Sequence, residues 1–97
     1  LVKVALDTSE GRIVLGLDRG RAPLTTANFL KYVESKRFDG QAFYRAMKMH
    51  GGGLIQGGVQ GDARKLFAPV AHEPTDKTGI RHVAGTISMA NAGPGTA

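Results

Sequence analysis

The stretch "FYRAMKMHGGGLIQGG", residues 43–58, joins charged side chains to a run of glycines. A phosphate-binding loop needs a Gly-Lys pair followed by Ser or Thr, but Lys48 precedes the glycines and no such pair follows them. The dinucleotide pattern Gly-x-Gly-x-x-Gly also fails, because Gln56 stands where the last glycine belongs. The stretch therefore does not predict a nucleotide site.

Metal and nucleophilic chemistry lack correctly spaced residues. His50, His72 and His82 are far apart, and no His-Glu-x-x-His pattern occurs. Cysteine is absent, which removes thiolate chemistry and leaves the redox compartment open. No serine stands in a Gly-x-Ser-x-Gly elbow. We therefore expect no metal site and no covalent nucleophile.

Arg45 and Gln56 suit a chemistry that needs neither a nucleophile nor a base. A guanidinium offers a planar fork of donors and keeps its charge. A nearby glutamine can hold that fork or a carbonyl group, and glycines let another backbone approach closely. These are the components of a site that binds a peptide and perturbs one of its amide bonds.

The elements before this stretch follow from apolar periodicity. Apolar side chains alternate with polar ones on both sides of a turn at Gly11, which predicts an antiparallel hairpin over residues 2–18. Pro23 suits a first helical position, and apolar residues at helical spacing follow it, so we predict a helix over residues 23–35.

The elements that carry the candidate residues are less regular. Residues 42–47 and 54–57 are predicted to be extended, with a glycine-rich loop between them. Residues 59–85 show little periodicity because glycines and prolines interrupt them. Residues 86–89 are predicted to form a short strand. The predicted fold class is mainly β with one helix.

Composition sets limits on the classes of protein. Ninety-seven residues, of which 41% are hydrophobic, make one domain with a small core, and no apolar run is long enough to span a membrane. The net charge of +5 and the pI near 10 bring nucleic acid into consideration. However, the basic residues are scattered, so we predict a solvated basic surface and no nucleic-acid or membrane partner.

Both ends of the sequence indicate that it belongs to a longer polypeptide. It begins at Leu1 instead of methionine, as after removal of an export signal or after truncation. The compartment stays open between the bacterial periplasm and cytoplasm, with the periplasm favoured if a signal was removed. Residues 92–97 are loop-like, which would leave open sheet edges. We expect the chain to continue past Ala97, or a complementing segment to cover those edges.

Five sequence blocks occur in the order found in one family. The chain resembles the N-terminal part of a cyclophilin-type peptidyl-prolyl cis-trans isomerase of bacterial kind, and the matching blocks are residues 22–29 (APLTTANF), 38–40 (FDG), 43–45 (FYR), 56–58 (QGG) and 88–94 (SMANAGP). Each block alone is a weak signal, but their order over nearly the whole chain is specific.

The resemblance implies an antiparallel, eight-stranded β-barrel capped by helices, of which residues 1–97 would supply roughly the N-terminal 60% as an incomplete domain with open edges. It implies rotation of X-Pro bonds without any cofactor. The expected partners are proline-containing peptides or unfolded proteins, together with a segment that closes the barrel.

The resemblance also assigns roles to residues. Arg45 would be catalytic and donate to the nitrogen of the twisted amide. Gln56 would bind the substrate carbonyl region or orient Arg45, and Asn91 would pair through its backbone with the substrate chain. Phe43 would be a pocket-floor or core residue. The full set of implied substrate-binding residues is Phe43, Leu54, Gln56, Ala90, Asn91 and Ala92.

The chain also departs from the family pattern. Ten residues separate Arg45 from Gln56, more than is usual in the family, so the glycine run is interpreted as an enlarged loop at the groove rim. The aromatic pocket residue that the family has shortly before the glutamine has no aromatic counterpart before Gln56, and Leu54 takes the place of the pocket methionine. A binding module that holds proline segments with little turnover is therefore an alternative. A third hypothesis, based on the charge, is attachment to an acidic polymer.

Overall fold

The computed structural model describes residues 1–49, 52–59, 63–90, 93, 95 and 97. The strands of the described residues are β1 (Val2–Thr8), β2 (Gly11–Leu17), β3 (Phe43–Met49) and β4 (Gly52–Gly57). They form two antiparallel two-stranded sheets, β1–β2 and β3–β4. The helices are α1 (Pro23–Glu34), a 3-10 turn at Ala63–Lys65 and α2 (Thr75–Thr78). The mainly β, antiparallel class predicted from the sequence is confirmed.

The chain divides into two compact units. The terminal unit comprises residues 1–29 and 69–97, and the central unit comprises residues 30–68. The buried residues of the terminal unit are Val4, Leu17, Thr26, Asn28 and Phe29, and Tyr32 is buried in the central unit. None of the described helices is long and apolar enough to cross a membrane.

The β1–β2 hairpin follows the predicted alternation. Its register pairs Thr8 with Gly11 across a two-residue turn. The Thr8 hydroxyl donates to the Gly11 carbonyl at 2.6 Å and accepts from the Glu10 amide at 3.2 Å. Gly11 has a φ of 124°, a backbone conformation that side chains disfavour. The turn chemistry thus fixes the register that buries Val4.

A carboxylate distant in sequence caps the start of α1. The Glu73 carboxylate accepts from the Leu24 amide at 3.1 Å, from the Thr25 amide at 2.7 Å and from the Thr25 hydroxyl at 2.7 Å. These amides belong to the first turn, which has no partners inside the helix, and a negative charge is favourable at this end of the helix dipole. Glu73 therefore ties residues 69–97 to α1 within the terminal unit.

The same contacts set the acidity of Glu73. Partial burial raises its pKa. The hydrogen bonds from Thr25 and Leu24 and the charge of Lys77 lower the pKa by more than burial raises it, so the pKa lies below the usual value of 4.5. Because the folded pKa is depressed, this carboxylate stabilises the fold above pH 4.5, and the contribution is lost as the pH falls through the folded pKa.

We expect Glu73→Gln to lower the free energy of unfolding at neutral pH by about 1 kcal/mol, because a neutral amide caps the helix less well than a carboxylate. Urea unfolding followed by circular dichroism from pH 7 to pH 3 measures the effect. The gap between wild type and variant should close at acid pH. Glu10→Gln, at an exposed turn position, is the control and should leave the pH profile unchanged. A gap that stays constant with pH would contradict the capping role.

The C-terminus of α1 closes with a lysine in a glycine-favoured conformation. The Arg37 amide donates to the Tyr32 carbonyl at 3.0 Å, and the Lys36 amide donates to the Val33 carbonyl at 3.1 Å. This is a Schellman motif, which places Lys36 at the left-handed position with a φ of 59°. A side chain there costs about 1 kcal/mol relative to glycine.

Replacing Lys36 by glycine is expected to raise the free energy of unfolding by about 0.5–1 kcal/mol, because glycine adopts this backbone conformation without strain. Lys36→Ala removes the same charge but keeps a Cβ, so it should bring no such gain. Urea unfolding of both variants is the measurement, and an equal gain in both would assign the effect to charge instead of backbone strain.

One sequence prediction outside the strands of the site needs correction. Residues 86–89 are not a strand: the Thr86 hydroxyl donates to the Arg81 carbonyl at 3.1 Å and accepts from the Val83 amide at 3.2 Å, so this residue closes a local turn. The interruption of residues 59–85 by prolines and glycines agrees with the structure, in which Pro74 and Gly79 delimit the short α2. Pro74 is its N-cap, and Gly79, with a φ of 74°, is its C-cap.

Candidate active site

The β3–β4 hairpin places the two predicted polar groups opposite each other. Its register pairs Arg45 with Gln56 and Met47 with Leu54. Directly opposed residues of an antiparallel pair share a face, and so do residues two apart on one strand. Arg45, Gln56, Met47 and Leu54 therefore lie on one face of the hairpin, which we name the arginine face.

An irregularity sits where β3 enters the site. Phe43 pairs with Gly57 and Arg45 pairs with Gln56, so β3 has one extra residue, Tyr44, between these pairs. Such a bulge bends its strand and re-aims the side chains beside it. Gly57 is required here because a Cβ would lie 2.8 Å from Phe43 Cδ1 and 3.0 Å from the Ala42 carbonyl oxygen.

Two glycines of the predicted glycine-rich loop belong to a strand. Gly52 and Gly53, predicted as part of a loop, belong to β4 and pair with Met49 and Lys48. Residues 50 and 51 lie outside the described residues. The strands extend because pairing satisfies the backbone even where β-propensity is low. A Cβ on Gly53 would lie 2.8 Å from the Met47 carbonyl oxygen, whereas one on Gly52 would meet nothing within 4 Å.

The guanidinium of Arg45 rests against a weak acceptor. Its Nη2 donates to Met47 Sδ at 2.9 Å, and the residue is exposed. Between these two described residues no hydrogen bond joins Arg45 to Gln56. A thioether sulfur is a poor acceptor, so a better one could replace it at little cost. Arg45 is thus held over the arginine face with its donors available.

Three apolar side chains of the hairpin are open to solvent. Phe43 is 46% exposed, Met47 37% and Leu54 42%. Ala46, Met47, Lys48, Gly53, Leu54 and Ile55 line a shallow depression on the hairpin. The exposed Met47 and Leu54 can contact an apolar ring such as that of proline, on the strand face that also carries Arg45.

The remaining predicted residues lie elsewhere in the chain. Ala90 is exposed and belongs to the terminal unit. Asn91 and Ala92 lie outside the described residues. The structure therefore brings together Phe43, Arg45, Leu54 and Gln56, and the roles given to all seven predicted residues stay predictions. In the described ranges no group of three or more His, Cys, Asp or Glu could hold a metal ion.

Sequence reasoning overlooked Met47. It contacts Arg45 and stands opposite Leu54 on the arginine face. The sequence contained this information, because Met47 lies two residues after Arg45 in the predicted strand of residues 42–47. Residues two apart on a strand share a face.

A comparison with protein families decides the relationship. The family model described as "Cyclophilin type peptidyl-prolyl cis-trans isomerase/CLD" matches residues 2–97. The chain belongs to the cyclophilin family. The resemblance seen in the five sequence blocks is thereby confirmed, together with the fold class that it implied.

Individual cyclophilins give the same result over part of their length. The chain is 39% identical to "Peptidyl-prolyl cis-trans isomerase cyp18" of Streptomyces antibioticus, over 90% of this chain and 51% of that protein. It is 40% identical to "Peptidyl-prolyl cis-trans isomerase A" of Dickeya dadantii, over 90% of this chain and 45% of that protein. The chain thus spans about half the length of these relatives. No solved structure gives a significant match.

Proposed function

We propose that the protein containing this chain catalyses cis-trans rotation of X-Pro bonds in peptides and folding proteins. The observation that carries the proposal is the direct pairing of Arg45 with Gln56 on an apolar face of the β3–β4 hairpin, in a chain of the cyclophilin family. Proline-containing polypeptides are accordingly the proposed substrates.

The uncatalysed reaction determines by how much the barrier to rotation must be lowered. Rotation has a barrier of about 18–20 kcal/mol and takes tens of seconds or more. Exchange in milliseconds requires a barrier lower by about 5–6 kcal/mol, at about 1.4 kcal/mol for each tenfold gain in rate. No bond is made or broken, so this difference must come from binding the twisted amide more tightly than either planar form.

Arg45 is proposed to supply the largest single part of that difference. Twisting ends the amide resonance and localises a lone pair on the proline nitrogen. The Arg45 guanidinium would leave Met47 Sδ and donate to that lone pair, a contact that planar amides do not offer. One such donor contributes about 3–4 kcal/mol in a shielded site.

The remaining part is assigned to fit and anchoring. The proline ring would rest on Met47 and Leu54, whose exposed fractions of 37% and 42% leave room for it. The Gln56 amide group, opposite Arg45, would bind the carbonyl that precedes the proline. These contacts hold the flanking backbone while the amide rotates, which lowers the entropy cost of reaching the twisted state.

A prolyl peptide assay tests the proposal. With catalytic amounts of the intact protein, the cis-to-trans relaxation of an Ala-Pro peptide should become much faster than the spontaneous rate. Relaxation at the spontaneous rate in the presence of folded, peptide-binding protein would refute it.

A binding module with little turnover is the second candidate. The exposure of Arg45 and of the apolar groups around it favours this function, because a donor in water stabilises developing charge far less than one in a shielded site. Saturable peptide binding without faster exchange would establish it.

A further inference from the structure

The positive charge of the chain is concentrated in one unit. The central unit, residues 30–68, holds seven basic and three acidic residues, a net charge of +4. The terminal unit holds six basic and five acidic residues, a net charge of +1. The ion pairs Arg12–Asp7 and Arg21–Asp18 both lie in the terminal unit. The basic residues are scattered along the sequence, so the difference in net charge between the two units is not evident from the sequence alone.

Two cations of the central unit share one aromatic ring. Lys31 Nζ lies 4.1 Å from the centroid of the Phe67 ring, and Arg37 Cζ lies 3.8 Å from it. Both distances end at the centroid of the Phe67 ring, so their sum is the largest possible separation of the two charges. That separation is within the Debye length of about 8 Å at physiological salt. They therefore repel each other, although contact with the face of the ring stabilises each of them.

Packing holds this ring in place. The Phe67 amide donates to the Tyr32 hydroxyl oxygen at 2.9 Å, and the rings of these residues meet edge to face at 4.9 Å. The Tyr32 ring also stacks on the Phe38 ring, with the two ring centroids 5.0 Å apart. The two cations are thus displayed on a fixed support.

Two more lysines are close in sequence to these residues. Lys65 precedes Phe67 by two residues, and Lys36 precedes Arg37. No described carboxylate comes within 4.0 Å of Lys31, Lys36, Arg37 or Lys65. Lys36 also occupies a left-handed position where glycine would be more stable. We name Lys31, Lys36, Arg37 and Lys65 the basic surface.

We propose that the basic surface binds acidic segments of polypeptide substrates, so that the protein prefers X-Pro bonds in acidic surroundings. This inference rests on the proposed function, whose substrates are polypeptides. A carboxylate run would relieve the repulsion between Lys31 and Arg37 and would pair with Lys36 and Lys65, with charge complementarity giving both specificity and faster association.

The aromatic residues beside the basic surface favour polypeptide over nucleic acid. Proteins that bind single-stranded nucleic acid present aromatic faces on which bases stack. Here Tyr32 is only 7% exposed and stacks on Phe38, while the Phe67 ring already carries two cations. These rings offer no free platform for a base.

The test compares two labelled Ala-Pro peptides, one extended by a run of glutamates and the other by glutamines. Fluorescence anisotropy gives the Kd of each for the intact protein at low and physiological salt. The glutamate peptide should bind more tightly at low salt, and salt should reduce its advantage. The double variant Lys31→Gln/Arg37→Gln should reduce the preference by about fivefold.

Matched variants separate a local effect from net charge. Lys3→Gln/Arg19→Gln removes one lysine and one arginine at exposed positions of the terminal unit and should leave the preference intact. Lys36→Gln/Lys65→Gln removes charge without touching the ring contacts, so it keeps the test decisive if the first pair unfolds the central unit. The charge-conserving Lys31→Arg/Arg37→Lys should retain the preference.

Three outcomes would overturn the inference: equal affinity for the two peptides, an equal loss in the Lys3/Arg19 control, or tighter binding of an RNA oligonucleotide than of the glutamate peptide. The proposed function is judged separately, by relaxation of the glutamine peptide. If the protein accelerates that relaxation but shows no preference for glutamates, the inference alone fails.

Discussion

Replacing Arg45 by alanine is expected to lower kcat/KM for X-Pro isomerisation by about 100-fold to 1,000-fold, as loss of a single donor to developing charge does in other enzymes. Arg45 is exposed, and within the described part of the chain its Nη2 donates only to the weak acceptor Met47 Sδ, so the fold should tolerate the change. The free energy of unfolding should move by less than about 0.5 kcal/mol. Stopped-flow peptide assays and urea unfolding on the same preparations measure both effects.

Two further variants sharpen this prediction. Arg45→Lys keeps the charge but loses the planar fork, so its rate should lie between wild type and Arg45→Ala. Arg19→Ala removes an exposed arginine of the terminal unit and should leave the rate unchanged. If Arg45→Ala retains the wild-type rate, the donor role is wrong, and if Arg19→Ala loses as much, the effect belongs to net charge.

The second large effect is expected at Gly53. A Cβ there would approach the Met47 carbonyl oxygen to 2.8 Å, and because this neighbour is backbone, the strands must shift to relieve it. We expect Gly53→Ala to destabilise the central unit by about 1–3 kcal/mol. The shift displaces Met47 and Leu54 on the arginine face, so kcat/KM should also fall, by up to about 100-fold.

The adjacent glycine provides a matched control. Gly52 lies in the same strand, but a Cβ there would meet nothing within 4 Å. Gly52→Ala should therefore change the free energy of unfolding by no more than about 0.5 kcal/mol. Thermal unfolding and peptide assays compare the two variants. Equal losses in both would mean that the close approach at Gly53 does not determine the hairpin geometry.

Local periodicity was sufficient for the regular elements. The β1–β2 hairpin and α1 were predicted within a residue of their ends, because alternating or helically spaced apolar residues and the turn at Gly11 encode them locally. The strand predicted at residues 86–89 was wrong because apolar alternation does not supply a partner strand. In the structure the Thr86 hydroxyl is engaged in a turn with Arg81 and Val83.

Contacts between residues that are far apart in the chain could not be predicted from the sequence. Glu73 caps α1 from 48 and 49 residues away, and Phe67 meets Tyr32 from 35 residues away. Nothing in either local sequence identifies the partner. The extent of β3 and β4 was also underestimated, since glycines suggest a loop unless the register that pairs Gly53 with Lys48 is known.

The candidate site was predictable in part. The residue types indicated Arg45 and Gln56, and the family resemblance added Leu54. The register then shows that all three share one face with Met47. The resemblance alone could not show the bulge at Tyr44, because a bulge depends on pairing and not on residue type.

The most direct test of the central claim is a two-dimensional NMR exchange spectrum of an Ala-Pro peptide with the intact, isotopically labelled protein. The arginine face, if it is the isomerase site, predicts cis-trans exchange on the millisecond scale and amide shift changes concentrated at Arg45, Leu54 and Gln56. Exchange at the spontaneous rate, or shift changes that leave these three residues unaffected, would contradict it.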